Sequence, residues 1–140
     1  MSRELLESIK KEEGFRSKVY VDGMGNRTIG YGTNLEEGIS EAEADELLKM
    51  RLDSAMKELM GRFDERFLSR LKPKAAEAII DMAYNMGVPR LMTFEKMWEA
   101  IAKDDYEKAA KEILDSKYAQ QLPARAKRNA EKMASPWSEK

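Results

Sequence analysis

The residues best suited to acid–base chemistry lie close together near the start of the chain. Between Glu12 and Asn34 the sequence places two adjacent carboxylates, an aspartate at a turn, and five glycines around one short predicted hairpin. The chain contains no cysteine and no histidine. Catalytic systems that need an imidazole base or a thiolate are therefore excluded, as are zinc sites built from these ligands. Proton transfer must use carboxylates, lysine or tyrosine.

Helical phase favours Glu13 over Glu12 as the acid. Leu5, Leu6 and Ile9 define the apolar face of the first predicted helix. At about 100° per residue, Glu13 lies about 33° from the centre of that face and Glu12 about 67°. The helix C-terminus, partial burial and the neighbouring Glu12 would all raise the pKa of Glu13. A carboxylic acid that stays protonated near neutral pH can donate a proton to a leaving oxygen, such as that of a glycosidic bond.

Asp22 and Thr28 are candidates for holding a second reactant. Cleavage of a glycoside needs a nucleophile or a base that activates water, and Asp22 is the nearest candidate for that group. The Thr28 hydroxyl could share the same water. Each residue also has an ordinary structural role, because Asp is common in Asx turns and Thr is a good strand former. Taken singly, their types leave both roles open.

The elements around these residues predict an α+β fold that is mostly helical. A first helix over residues 2–13, with Ser2 as N-cap and Gly14 as terminator, precedes one hairpin with strands at 17–21 and 27–31. A capping box at Ser40 and Glu43 begins a long helix over 41–60. Further helices are predicted over 65–71, 73–86, 93–102, 106–115 and 124–134. No internal repeat or Pro/Gly-rich linker divides the chain, so we expect a single domain.

Charge is balanced over the whole chain but uneven near its end. The chain has 25 Lys+Arg and 26 Asp+Glu, a formal charge of −1 that argues against a generally basic surface for nucleic acid or membrane. From Lys117 to Lys140, six basic residues stand against two acidic ones. A solvated helix face is the ordinary interpretation, and a positive rim for an acidic polymer is the alternative. The N-terminus has no continuous apolar stretch, which predicts neither a signal peptide nor a membrane span and favours synthesis in the cytoplasm.

The spacing of the candidates resembles the catalytic signature of phage-type lysozymes, the muramidase endolysins of T-even phages and their relatives in glycoside hydrolase family 24. Eight residues separate Glu13 from Asp22, and five separate Asp22 from Thr28. The stretches 13–16 (EGFR), 19–22 (VYVD) and 28–32 (TIGYG) are similar to those of the family. The likeness continues through 81–87 (DMAYNMG), Phe94 and 122–128 (LPARAKR), so it covers nearly the whole chain.

The resemblance implies a role for each of several residues. Glu13 would be the general acid, Asp22 and Thr28 would manage the attacking water, and Arg125 would reach back to pair with Glu13. This pairing would lower a pKa that burial and the helix end raise, and Arg125 could instead serve to orient the acid. The implied substrate-binding residues are Gly30, Tyr84 and Asn85. No metal and no organic cofactor is implied.

The same resemblance implies a lysozyme-like fold with two lobes. A small β-containing lobe would cover about residues 14–40, a connecting helix 41–60, and a helical lobe 61–140 on which the first helix packs. The implied reaction is hydrolysis of the β-1,4 bond between N-acetylmuramic acid and N-acetylglucosamine in bacterial peptidoglycan, with inversion, leading to cell lysis. The partner would be peptidoglycan glycan strands, without nucleic acid or membrane insertion. We expect a monomer that reaches the wall after release through a holin or lysis from within.

Two features depart from the family pattern. Thr33 stands where many members have a histidine, which removes an ion pair, and only residues 34–39 join the hairpin to the long helix, which implies a smaller β lobe. Both features lie outside the three catalytic candidates. Two other functions stay open: a lytic transglycosylase, which uses one glutamate and leaves an anhydro sugar, and a noncatalytic peptidoglycan-binding protein of the same fold.

Overall fold

The computed structural model describes residues 1–136, which contain nine α-helices and one three-stranded antiparallel sheet. With 68% of residues helical, the predicted mostly helical α+β class is confirmed. Backbone contacts divide the chain into two units, residues 1–47 and 48–140, and each is described by itself. Glu139 and Lys140, which belong to the basic end noted above, lie outside the described residues. The lobe boundaries and the packing of the first helix remain predictions.

The first unit contains one helix, the sheet and the start of a long helix. Its elements are α1 (Arg3–Glu13), β1 (Arg16–Val21), β2 (Arg27–Gly30), β3 (Thr33–Asn34), a 3-10 helix (Leu35–Glu37) and the beginning of α2 (Glu41–Met60). Ser2 caps α1 as predicted, since its hydroxyl accepts the Leu5 N–H at 3.0 Å. The helix ends at Gly14, which has a positive φ of 71°.

The third strand corrects the expectation of a single hairpin. The strand order is β1-β2-β3, and β3 pairs with β2 through Thr28 with Asn34 and Ile29 with Thr33. A strand of two residues is too short to show the alternation by which strands are predicted. It forms because the chain reverses direction directly after β2, so that its backbone groups pair with those at the edge of β2.

The long helix α2 follows its predicted bounds because its start is strongly encoded. The Ser40 hydroxyl accepts the Glu43 N–H at 3.1 Å, and the Glu43 carboxylate accepts the Ser40 N–H at 2.9 Å. The hydrogen bond from the Ser40 backbone is the main reason that the pKa of Glu43 lies below its ordinary value. Although α2 has 20 residues, no helix within residues 1–136 combines the length and apolar character needed to cross a membrane.

The second unit is helical throughout its described part. After the end of α2 it contains α3 (Glu65–Arg70), α4 (Pro73–Met86), α5 (Val88–Leu91), α6 (Glu95–Ala102), α7 (Tyr106–Leu114), α8 (Lys117–Gln121) and α9 (Pro123–Ala134). The sequence analysis did not predict α5 or α8, because four or five residues do not show helical periodicity. A local signal for α8 exists in Ser116, whose hydroxyl accepts the Ala119 N–H at 3.2 Å.

The hydrophobic core of the described residues lies in this second unit. The largest side chains that are fully buried are Tyr118, Met82, Leu91, Met97, Ile113 and Met133. Three of these six are methionines, whose flexible side chains fill irregular spaces in the core. An aromatic group flanks the core, where the rings of Phe67 and Trp98 each pack against Phe63. Their ring centroids lie 4.7 Å from that of Phe63.

Truncating a buried leucine should cost far more stability than truncating an exposed one. Leu91 is 0% exposed and Leu114 is 52% exposed. We expect Leu91→Ala to lower the free energy of unfolding by about 2–5 kcal/mol, because the change removes buried methyl groups and leaves a cavity. Leu114→Ala should change it by less than about 0.5 kcal/mol. Urea titrations followed by circular dichroism measure both, and equal losses would contradict this assignment of the core.

Candidate active site

Glu13 is the last residue of α1, and its carboxyl group lies against the backbone of Gly32. A Cβ placed on Gly32 would overlap a Glu13 carboxyl oxygen and would stand 2.9 Å from the Glu13 Cδ atom. Gly32 also has a φ of +76°, a conformation that favours glycine. The carboxyl can therefore approach the chain this closely only because residue 32 has no side chain.

The Glu13 side chain is exposed, in contrast to the partial burial expected from its helical phase. Leu5, Leu6 and Ile9, which mark the same face of α1, are also 44–52% exposed. Phase gives the direction of a side chain on a helix, but burial depends on what packs against that face. The contact with Gly32, rather than burial, is what positions the carboxyl group in this unit.

Two side-chain contacts hold the turn at Gly32 against the end of α1. The ring centroids of Phe15 and Tyr31 lie 5.6 Å apart, and the Lys10 ammonium lies 5.4 Å from the Tyr31 ring centroid. Because Tyr31 directly precedes Gly32, these contacts fix the glycine beside Glu13. Gly32 was not among the predicted site residues. The available signal was the pair of glycines that flank Tyr31 at the end of the predicted strand.

Asp22 organises the turn between β1 and β2. Its Oδ1 atom accepts the N–H groups of Met24 at 2.9 Å and Asn26 at 2.8 Å, and its own N–H donates to the Asn26 carbonyl at 2.9 Å. The bond from the Asn26 backbone is the main cause that holds the pKa of Asp22 below its ordinary value. Asp22 therefore has the Asx-turn role, and the same bonds favour the charged form of its carboxylate.

Thr28 is buried close to Asp22. It is 2% exposed and lies in β2 between Tyr20 of β1 and Asn34 of β3. Its hydroxyl donates to the Asn26 carbonyl at 3.0 Å, and its side chain also helps to lower the pKa of Asp22. The structure thus brings Asp22 and Thr28 together around one turn. Their joint action on a water molecule remains a prediction.

Asp81 holds Arg125 in the second unit. The Arg125 Nε and Nη2 atoms donate to the two Asp81 carboxylate oxygens at 2.9 and 2.8 Å. Asn129 donates to the same carboxylate at 2.8 Å and to the Tyr118 hydroxyl at 2.9 Å. The hydrogen bonds from Arg125 are the main cause that lowers the pKa of Asp81, and Asp81 in turn raises the pKa of Arg125. The network joins α4, α8 and α9.

The family resemblance implies that Arg125 pairs with Glu13, and Asp81 was not predicted as its partner. A signal was available, because Asp81 lies in α4 between positions 78 and 82, both of which are buried. A carboxylate on that side of a helix requires a cation or other donors. What the sequence did not show was which cation, because Arg125 is 44 residues away. The ion pair between Arg125 and Glu13 remains a prediction.

The predicted substrate-binding residues lie in both parts of the chain. Gly30 ends β2 with a φ of +69° and has open space where a Cβ would be. Tyr84 and Asn85 lie in the last turn of α4 with exposed side chains, Tyr84 at 44%. These positions leave their side chains or backbone accessible, and contact with a substrate remains a prediction.

A cavity of about 490 Å³ in the second unit was not anticipated from the sequence. Its volume lies within the roughly 300–1,000 Å³ that is usual for binding sites of small molecules. Half-buried Phe94 supplies aromatic surface, and Arg90, Glu112 and Lys117 are among the charged residues of the lining. The combination of aromatic surface with charges of both signs suits a ligand that has apolar faces and polar groups.

Part of the basic stretch near the end of the chain lines a second cavity of about 320 Å³. Arg125, Arg128 and Lys132 line it together with Asp81 and Asn129. Three cations thus surround one carboxylate, and that carboxylate already binds Arg125. This local excess of positive charge is compatible with a positive rim for an acidic polymer.

Adding a methyl group at Gly32 should displace the Glu13 carboxyl group. Gly38 offers a matched control, since it has the same φ of +76° and open space around its Cβ position. We expect each variant to cost about 1 kcal/mol of unfolding free energy from the backbone conformation, because the exposed Glu13 side chain can move away from the methyl group added at Gly32. Only Gly32→Ala should move the ¹³C resonance of the Glu13 carboxyl carbon. An unmoved resonance in the Gly32 variant would contradict the close contact.

Removing the charge of Asp81 should reduce stability at neutral pH but not in acid. Because the folded pKa of Asp81 is lowered, its contribution is present above the ordinary value of 3.8 and is lost as the pH falls through the folded value. We expect Asp81→Asn to lower the free energy of unfolding by about 1 kcal/mol at pH 7. Urea titrations from pH 7 down to about pH 2 should show this difference shrink. Asp115→Asn, at an exposed position after α7, is the control, and a pH-independent difference for Asp81→Asn would contradict the prediction.

Comparison with known protein families identifies the family of this chain. The family model described as phage lysozyme matches residues 10–132, a stretch that includes Glu13, Asp22, Thr28 and Arg125. A comparison with curated protein sequences gives no match. Because the matched stretch covers most of the chain and the mostly helical α+β class is the one expected, the chain belongs to the phage lysozyme family.

Proposed function

We propose that this chain is an endolysin-type muramidase that hydrolyses the β-1,4 bond between N-acetylmuramic acid and N-acetylglucosamine. Membership of the phage lysozyme family identifies it more generally as a glycoside hydrolase of lysozyme type that acts on peptidoglycan. The observation that carries the finer proposal is the family match across Glu13, Asp22 and Thr28. The contact of Glu13 with Gly32 and the ordered turn at Asp22 support it.

Glu13 acts as the general acid in this proposal. Its proton passes to the glycosidic oxygen while the bond between that oxygen and the anomeric carbon of the sugar breaks. The leaving sugar then departs as an alcohol, and Glu13 is left as a carboxylate. The backbone of Gly32 limits the positions that the carboxyl group can take, which favours one orientation towards the substrate.

Asp22 acts as the base that activates water. A carboxylate is ionised at neutral pH, and the bonds from Met24 and Asn26 hold that of Asp22 in place. It can therefore accept a proton from a water molecule oriented with the help of the Thr28 oxygen. The water oxygen bonds to the anomeric carbon on the face opposite the leaving group, which inverts the configuration. This course requires the two carboxyl groups to stand roughly 6.5–9.5 Å apart when substrate is bound.

In this proposal, residues other than the three catalytic candidates bind the glycan and orient the general acid. Gly30, Tyr84 and Asn85 contact the glycan, and Arg125 orients Glu13 as the resemblance implies. The cavity beside Phe94 supports binding of a polymer, because aromatic surface packs on the apolar faces of sugar rings. The enzyme acts as a monomer and reaches the wall after release from the cytoplasm through a holin, and cell lysis follows.

Replacing Glu13 by glutamine should abolish wall cleavage and leave the fold intact. Glu12→Gln is a matched control, because it removes a neighbouring carboxylate from the same helix. We expect Glu13→Gln to slow the clearing of purified cell walls by about 10²–10⁴-fold, the usual contribution of a general acid, and Glu12→Gln by less than about 3-fold. Circular dichroism and wall-pelleting assays should find both variants folded and bound. Undiminished clearing by Glu13→Gln would contradict the proposed role of Glu13 as the general acid.

Product analysis separates the proposed hydrolase from its alternatives. Digestion in water enriched in ¹⁸O should place one heavy oxygen at the new reducing end of each muramic acid product, as mass spectrometry can show. A lytic transglycosylase would instead release an anhydromuramic product without added water. Wall binding with no product at all would identify a noncatalytic binding protein, and either outcome would overturn the proposal.

A further inference from the structure

Lys72 is the one buried residue with a full charge among residues 1–136. It is 6% exposed and occupies the N-cap position of α4, directly before Pro73. Burial lowers the pKa of its ammonium group, which reflects the energetic cost of removing a charge from water. Lysine is rarely buried unless its charge has partners. The proposed reaction does not use Lys72, so the reason for its burial must lie in its contacts.

The Lys72 ammonium joins three helices. Its Nζ atom donates to the carbonyl of Ser135, the C-cap residue of α9, and lies 4.3 Å from the ring centroid of Tyr106, the first residue of α7. The Tyr106 hydroxyl in turn accepts the Lys72 backbone N–H at 3.4 Å and donates to the Arg70 carbonyl at 3.5 Å. The charge is thus enclosed by a carbonyl and an aromatic face.

The helix dipoles indicate which helix the Lys72 ammonium stabilises. A cation at the start of a helix is unfavourable, so the ammonium does not stabilise α4, and it makes no capping bond there. A cation at the end of a helix is favourable, and Ser135 presents a carbonyl at the end of α9. The side chain therefore extends away from its own helix and binds the end of another.

This contact and the Asp81 network lie at opposite ends of one helix pair. Lys72 precedes Asp81 by nine residues, about 14 Å along a helix, and Arg125 precedes Ser135 by ten, about 15 Å. Lys72 binds Ser135 and Asp81 binds Arg125, so α4 and α9 run antiparallel with one polar contact near each end. Two contacts separated by this distance fix both the register and the rotation of α9 on α4. Without the Lys72 contact, the C-terminal end of α9 would lose its polar attachment to α4.

We propose that Lys72 is a positioning residue that fixes α9 on α4 and so sets the placement of Arg125. Asp81 alone fixes one end of α9, and the Lys72–Ser135 contact fixes the other. The catalytic consequence rests on the proposed function, in which Arg125 orients Glu13. The structural part does not rest on it, because the placement of Arg125 can be observed without any measurement of activity.

The test follows the Arg125 side chain by NMR in the full chain. The bond to Asp81 should protect the Arg125 Nε–H from exchange with water. Lys72→Met removes the ammonium and keeps an unbranched side chain. We expect exchange of this N–H, and of the backbone amides of residues 131–135, to become about ten-fold faster as α9 loosens. On soluble wall fragments, kcat should fall about 3–10-fold while KM stays within about 2-fold, since orientation and not binding is affected.

Two further lysine variants provide controls. Lys74→Met alters an exposed lysine two positions away, whose side chain is 52% exposed and pairs with Glu77, and it should leave Arg125 exchange unchanged. Lys72→Arg keeps the positive charge and should restore most of the protection. If Lys72→Met does not fold, Tyr106→Leu provides the measurement, because it removes the aromatic face and retains the ammonium. We expect about 3-fold faster Arg125 exchange in that variant.

The outcomes separate this inference from the proposed function. Unchanged Arg125 exchange in folded Lys72→Met, or in Tyr106→Leu where that variant is the one measured, overturns the positioning role of Lys72. Failure of Lys72→Arg to restore protection also overturns it, because the charge is then not the determinant. Faster Arg125 exchange with an unchanged kcat supports the role of Lys72 and contradicts the proposed role of Arg125 in the reaction.

Discussion

The carboxylate of Asp81 determines how the helical unit can be assembled. Its side chain is 34% exposed and lies in α4 beside buried apolar positions, where a carboxylate without a partner costs free energy. Arg125 and Asn129 satisfy both of its oxygens, and Asn129 uses its second N–H to bind the Tyr118 hydroxyl, which would otherwise be buried without a partner. The arrangement of α4, α8 and α9 that buries their apolar side chains also completes this polar network.

The strand-containing unit positions its groups by a different means. Its described residues include a single buried polar side chain, Thr28, and none of the large buried apolar side chains. Backbone geometry does most of the positioning instead. Gly32 admits the Glu13 carboxyl group, and the N–H groups of Met24 and Asn26 fix Asp22. Side chains held by backbone groups keep their orientation without deep burial, and they remain accessible to a polymer.

The sequence predicts elements well where their ends are chemically marked. The capping box at Ser40 and the Pro73 start of α4 give the correct bounds of two helices, because these signals act within a few residues. The short elements β3, α5 and α8 could not be predicted from periodicity. Partners such as Asp81 and Arg125 could not be predicted either, since a contact over 44 residues depends on the packing of whole helices. The contact of Glu13 with Gly32 was likewise a tertiary property.

The turn at Asp22 has an evolutionary consequence. The oxygen that accepts the Met24 and Asn26 N–H groups is an acceptor that an asparagine side chain also possesses. An exchange of Asp for Asn at this position would preserve the turn and remove the charge on which the proposed water activation depends. A descendant of this protein could thus change from a wall-cutting enzyme to a wall-binding protein through one nucleotide change in one codon. Its hairpin would carry no structural trace of the transition.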